Sequence, residues 1–341
     1  MNKSSSMAER RQLQKGKKPM KHLLTASNTL LFLLLIGMLA AGCAPAPALT
    51  PVPTQPPAPT EAAPAPTGVL TLGDISDDPA EKIEKFRSLA DYLAANLGEY
   101  GIGKVEIKIA PDLDTMVKWL ESGEVDIYFD SPFPAMYVSD NSGAQPILRR
   151  WRRGVEEYHS VIFVLKESGI TSVQQLNGHA IAYEEPFSTT AYFLPTAYLI
   201  KEGLTLVEKQ SPEAAVGENE VGYVFTGDDE NIVQWVLSKK VTAGAIDNFT
   251  FFEDIPEETR ANLTVLLETE DVARHITLVS AKLDAELVEA IKSVLVNLDE
   301  QPEGPKILEE FEKTSKFDEF PEGLEAALTR MRELYALVQG Q

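Results

Sequence analysis

The sequence predicts an α/β fold in two lobes, with mainly parallel sheets flanked by helices. Three observations carry this expectation. Segments of strand and helix periodicity alternate along the body of the chain. The folded stretch, residues 68–341, holds 274 residues, which suits two compact lobes better than one. One helix–turn–strand unit occurs twice. Repeated strand–helix order implies sheets of parallel type covered by helices.

The elements follow in chain order. VLTLG (69–73) is a short apolar run closed by glycine, a first strand. Over 80–97, Ile83, Phe86, Ala90, Leu93 and Leu97 recur at three- and four-residue spacings, one face of a helix. VEIKIA (105–110) alternates as a strand does, and Asp112 or Asp114 can cap the helix carrying Val117 and Leu120. VDIYF (125–129) reads as a buried strand. RRWRR (149–153), the one dense basic patch, suits a solvated strand edge or a partner surface better than a ligand clamp. Further on, HAIAY (179–183) is a strand, 189–202 a helix stopped by Gly203, VGYVF (221–225) a strand, 229–238 a helix and VTAGAI (241–246) a strand. The tail from 284 to 338 is mostly helical, with Asp284, Glu303 and Pro321 near helix starts.

The repeated unit is VKWLESGEVDIYFDS (117–131) and VQWVLSKKVTAGAIDN (233–248). Both share V-x-W, a serine three residues after the tryptophan and a valine six after it. Both strands end in an aspartate, Asp130 and Asp247. Ligands of open parallel sheets bind beyond the carboxyl ends of the strands. The two aspartates are therefore expected to face one cleft from opposite lobes.

The first 67 residues read differently. LLFLLLIGMLAA (30–41) is apolar but short for a membrane span, and Lys15, Lys17, Lys18 and Lys21 precede it. A basic region, a short apolar core and small residues describe an export signal over residues 1–42. LAAGC resembles a bacterial lipobox, which implies cleavage before Cys43 and a lipid on it that anchors the protein to the membrane. Cys43 is the only cysteine, so a disulfide framework and thiolate chemistry are excluded from the exported body. Residues 43–67 form a tether: APAPALTPVPTQPPAPTEAAPAPT has nine prolines in 24 residues and favours extended polyproline II.

Beyond Cys43 the chain carries 24 basic against 51 acidic side chains, formally −27. That balance argues against nucleic acid as a partner. No paired-histidine metal spacing and no Gly-x-Ser-x-Gly elbow appear. The expectation is a binding protein rather than an enzyme, with no metal and no cofactor.

One segment holds the strongest functional signal. Ser188, Thr189 and Thr190 in YEEPFSTTAYFLP (183–195) follow a strand end and open a helix. A single hydroxyl suffices for a cap, and two β-branched residues in a first turn are mildly unfavourable. A helix start with free amides and hydroxyl donors is also a ready anion site. On chemistry alone, capping and anion binding stay equally open.

EPFSTTAYFLP is similar to the Ser-Thr-Ser-Gly-Tyr stretch of periplasmic phosphonate-binding proteins, the solute receptors of ABC importers for phosphate, phosphite and phosphonate. ADYLAANLG (90–98), GEVDIYFDSP (123–132), EYHSVIFVLKESGITSVQQLNGHAIAYEEP (157–186) and TGDDENIVQWVLSKKVTAGAIDN (226–248) resemble other family segments in the family's order, over about residues 69–250. The resemblance implies a type II periplasmic-binding fold closing on its ligand, with crossing strands expected at 159–166 and 245–252. Lobe 1 would then comprise 68–163 and 249–341, and lobe 2 164–248. It implies that Ser188, Thr189 and Thr190 hold oxyanion oxygens, with Tyr128, Ser131, Tyr158 and His159 contributing from the first lobe and Asp247 facing the ligand. It further implies a small oxyanion ligand, ABC permease subunits as partners, and a monomer. A ligand-presenting sensor for a membrane kinase and an enzyme on the same fold are the alternatives. The chain departs from the family where Phe-Gly-Pro becomes Phe129-Asp130-Ser131-Pro132, where Ala191 replaces a glycine and Thr190 a serine, and where Gly227-Asp228-Asp229 stands near a histidine of some relatives. The extra carboxylates favour a protonated anion or a ligand that also carries an amine.

Overall fold

The computed structural model describes residues 66–340. The export signal, Cys43 and most of the tether lie outside the described residues. Among those described, no helix is long and apolar enough to cross a membrane.

The chain opens with β1 (Gly68–Ile75), α1 (Pro79–Asn96), β2 (Ile102–Ala110), α2 (Leu113–Ser122), β3 (Ile127–Asp130), α3 (Pro132–Ser142) and β4 (Gln145–Arg152). Local chemistry sets these boundaries. Asp78 caps α1 by accepting from the Glu81 amide, and Pro79 supplies the fixed φ that a first turn favours. Asp112, not Asp114, caps α2 through the Thr115 amide at 2.7 Å. Gly123 ends α2 at φ 80°, a left-handed turn that glycine adopts at little cost.

A short β5 (Glu157–Tyr158) leads into β6 (Ser160–Leu165), β7 (Ala180–Tyr183), α4 (Leu194–Lys201), β8 (Leu206–Glu208), β9 (Val221–Phe225), α5 (Asp229–Leu237), β10 (Ala243–Asp247), α6 (Glu257–Arg260) and β11 (Leu263–Glu268). The chain then passes through β12 (Val272–Ala273) to β13 (His275–Val279), α7 (Ala285–Val296), α8 (Gly304–Glu310), β14 (Thr314–Asp318) and α9 (Leu324–Gln339).

Two six-stranded sheets result, in the orders β14-β4-β13-β3-β1-β2 and β11-β6-β10-β7-β9-β8. They share a plan. In each, a parallel set (β3-β1-β2; β10-β7-β9-β8) adjoins antiparallel strands. The repeated V-x-W units are α2–β3 and α5–β10, one in each sheet. Apolar side chains cover both faces of each sheet. One of the clusters, with Phe133, Phe193, Leu194, Ala197 and Leu334, runs between α3 of the first lobe, α4 of the second and α9.

The crossing between lobes differs from expectation. β6 already belongs to the second sheet, and so does β11, antiparallel to β6. The chain thus crosses near Tyr158–Ser160 and returns through Thr269–Arg274, where β5 and β12 pair as a two-stranded ribbon, Tyr158 opposite Val272. The second lobe spans about 160–268, and residues 245–252 lie inside it. The physical reason is that β10 ends in mid-sheet at Asp247 and a π-helical turn, Thr250–Asp254, carries the chain on to the sheet edge. The apolar pattern of 245–252 marks a buried segment without saying which sheet buries it.

The tail is mostly helical as expected, with α7 and α8 starting after Asp284 and Glu303, but Thr314–Asp318 is a strand pairing with β4. β4 is thereby an interior strand, and RRWRR is no solvated edge. Arg150 is fully buried, donating to Glu312 Oε2 at 3.1 Å, to Thr314 Oγ1 at 2.8 Å and to the Phe311 carbonyl at 3.2 Å. Arg149 makes a two-pronged pair with Asp318 at 2.9 and 2.8 Å.

Candidate functional site

The carboxyl ends of β1, β3, β7 and β10 open on one cleft of about 760 Å³ between the lobes. The repeated units deliver Asp130 and Asp247 to its lining from opposite lobes. Of the residues expected at a site, Ser131, Tyr158, Ser188, Thr189, Thr190 and Asp247 line this cleft.

The three hydroxyl residues divide their duties. Ser188 accepts from the Ala191 amide at 3.1 Å, which is capping. Thr189 donates to Ser131 Oγ at 2.9 Å and accepts from the Phe133 amide at 3.0 Å, joining the second lobe to the first. Thr190 is buried at the cleft wall. The helix they open begins as a π-helical turn, Thr189–Phe193, with the Phe193 amide bonded to the Ser188 carbonyl at 2.9 Å. Pro195 has no N–H to continue an α ladder, and α4 starts afresh at Leu194. Behind the turn Phe193 stacks on Phe133 at 4.0 Å, fixing the wall.

Asp130 is held by Tyr128 and by the Ser131 amide at 2.6 Å. Asp247 accepts from the Phe249 and Thr250 amides at 2.9 and 3.2 Å and from Thr250 Oγ1 at 2.7 Å. Tyr158 is buried in the ribbon between lobes, and the Arg274 guanidinium lies 4.2 Å from its ring centroid.

Two expected residues stay outside the lining. Tyr128 is fully buried; it alternates with Phe129 on β3, and its hydroxyl donates to Asp130 instead of reaching the cleft. His159 turns away at the crossing, with Nδ1 2.7 Å from Asp271 and Nε2 3.0 Å from Glu268. The odd–even alternation of an extended chain puts it on the opposite side from Tyr158.

Beyond Asp130, Asp247 and Asp229, sequence reasoning missed the cleft's other charges. Nine Asp/Glu side chains line it against four Lys/Arg. Lys82 bridges Asp74, at 2.7 Å, and Glu312. Arg153 crosses the cleft rim to Asp254 of the second lobe with two bonds of 2.8 Å. Burial pushes the Asp229 carboxyl up to about 8, helped by the negative charges of Glu184 and Asp247 and opposed by Arg274. Burial likewise raises Glu184 and Asp130, and brings Asp74 to about 6 against the pull of Lys82. Burial and the neighbouring Arg150 and Arg152 drive His275 well below its ordinary value, so it lines the cleft as a neutral imidazole. The one available signal was the strand-end position of Asp74 and Glu184, the same position that marks Asp130 and Asp247. Among the described residues, no group of three or more His, Cys, Asp or Glu is arranged to hold a metal ion.

This arrangement suits reversible capture between lobes. It offers hydroxyl and amide donors on one wall and an excess of acceptors around them.

Comparison with known proteins places this geometry. XAC2383 from Xanthomonas citri bound to chloride superposes with a TM-score of 0.73 at 29% identity, covering 80% of this chain and 98% of that one. The same protein bound to ATP gives the same TM-score at 27% identity, with the same coverage of both chains. PhnD1 from Prochlorococcus marinus in complex with methylphosphonate shares the fold, with a TM-score of 0.60 at 17% identity over 80% of this chain and 99% of that one. The phosphate-import protein PhnD of Mycolicibacterium smegmatis is 28% identical over 180 residues, 51% of this chain. The aligned region spans about half the length of that curated relative, 54%. The signature of the phosphonate-type periplasmic substrate-binding proteins of ABC transporters matches residues 74–322. The chain belongs to that family.

Proposed function

We propose that the chain captures a small phosphorus oxyanion (a phosphonate, phosphite or phosphate) in the cleft between its lobes and delivers it to the permease of an ABC importer. The observation that carries this reading is the convergence of hydroxyl side chains from both lobes, Ser188, Thr189 and Thr190 against Ser131 and Tyr158, on one cleft. Such donors, with the amides of a helical start, bind oxyanion oxygens without needing a metal. The family's description and the related phosphate importer support phosphorus over other centres. The surplus of carboxylates disfavours a fully charged dianion. It favours a singly charged oxyanion, or one whose molecule also carries an amine.

Binding here is by closure. A ligand that touches both walls favours the state in which the lobes meet. Cys43, lipidated, and the proline-rich tether would hold a monomeric receptor at the extracytoplasmic face of the membrane, within reach of the permease. The test is a calorimetric titration of the purified chain with phosphate, phosphite, methylphosphonate and 2-aminoethylphosphonate. The expected outcome is saturable binding of at least one with one site per chain. Heats of dilution alone for all four would overturn the reading.

A further inference from the structure

The four cations of the cleft are not equally committed. Lys82 lies between Asp74 and Glu312. Arg153 is paired with Asp254. Arg152 donates to the Glu312 carbonyl at 3.2 Å and stands 3.4 Å from the His275 ring. Arg274 differs. Its Nε is buried and has no hydrogen-bond partner among the described residues. A buried donor without an acceptor is costly, and the native fold pairs nearly all such groups. Here the unpaired donor belongs to a cleft-lining cation.

The side chain is also held in place. Its own amide donates to the Glu156 carbonyl at 2.7 Å, the ribbon pairs Ala273 with Glu157 next to it, and the Tyr158 ring supports the guanidinium. A guanidinium stacked on an aromatic face keeps its planar fork aimed in one direction, and that fork matches two oxygens of a tetrahedral oxyanion. Arg274 sits between β12 and β13, on the returning crossing at the pivot between the lobes.

We propose that Arg274 is the ligand's charge partner: its guanidinium binds the anionic oxygens from the hinge, while the Ser188–Thr190 turn binds them from the second lobe. The selectivity of the cleft for an anion, despite its many carboxylates, then comes from one cation at the pivot. The hydroxyls supply geometry, and Arg274 supplies the charge. This rests on the oxyanion reading given above.

The test titrates phosphate, phosphite, methylphosphonate and 2-aminoethylphosphonate into the wild type, Arg274→Met and Arg274→Lys, with melting curves for each. Losing a hydrogen bond to a charged group weakens binding by about ten- to a hundredfold. That loss is expected for Arg274→Met. Arg274→Lys should fall between it and the wild type, keeping the charge but losing the fork and the stack. If Arg274→Met does not fold, the lysine variant decides, with at least about a fivefold weakening expected at an unchanged melting temperature. A wild type that binds none of the four overturns the oxyanion reading and this inference with it. A wild type that binds while Arg274→Met, or Arg274→Lys in its place, binds within twofold overturns the inference alone.

Discussion

Thr189→Val tests closure, which the scattering of the ligand-free chain reads apart from ligand contact. Valine keeps the shape and removes the hydroxyl that donates to Ser131 Oγ and accepts from the Phe133 amide. Thr189 is 2% exposed, so water cannot replace it while the lobes meet. The Phe133 N–H, in the first turn of α3, is then buried without an acceptor. Such a group costs about 1–3 kcal/mol. The cost falls on the closed arrangement only, because opening the cleft admits water to both residues. Closure and binding are linked, so affinity should drop by up to the same free energy, at most about a hundredfold. The assays are calorimetry with methylphosphonate and small-angle scattering of the ligand-free chain, which should show a larger radius of gyration than the wild type. A variant with lower melting temperature but wild-type affinity and wild-type scattering would refute the reasoning. The Thr189 bond would then be part of the fixed core and no closure contact.

Two further outcomes follow from the chemistry. Asp229 has its folded pKa raised to about 8 from an ordinary 3.8, so the folded chain binds a proton that the unfolded chain releases. That contribution to stability is complete below about pH 4 and is lost as pH rises toward 8. Relative to Asp229→Asn, the wild type should therefore lose melting temperature between pH 5 and pH 8, read by differential scanning fluorimetry; parallel curves would show that Asp229 is not perturbed. Cys43→Ser should leave a longer precursor and abolish labelling by a fatty-acid analogue, whereas a wild-type intact mass without acyl groups would remove the lipid anchor from the account.

The regular elements were legible in the sequence because each buries one face, and period 2 or 3.6 records that burial. β9 falls where VGYVF predicts it, and α5 begins at its expected residue, with Asp228 as cap. The strand-end aspartates were legible for the same reason, since the repeated unit fixes their place on each sheet. What was hidden depends on partners far away in the chain. RRWRR reads as a basic patch until Glu312, 162 residues from Arg150, supplies the buried counter-charge. Residues 314–318 lack an apolar alternation, and only pairing with β4 makes them a strand. Arg274 belongs to no motif. Its importance comes from the pairing of β12 with β5, which sets it beside Tyr158, and no local pattern encodes that. The resemblance implies a site role for Tyr128 and His159, yet side-chain alternation directs one into the core and the other to the hinge exterior.

The most direct test of the central claim is a phosphorus NMR titration, in which the ligand reports on itself. Phosphate, phosphite, methylphosphonate and 2-aminoethylphosphonate are each followed while the chain is added. At least one should give a distinct or broadened bound resonance that saturates at one ligand per chain. Sharp, unshifted signals for all four, at protein in excess of ligand, would contradict it.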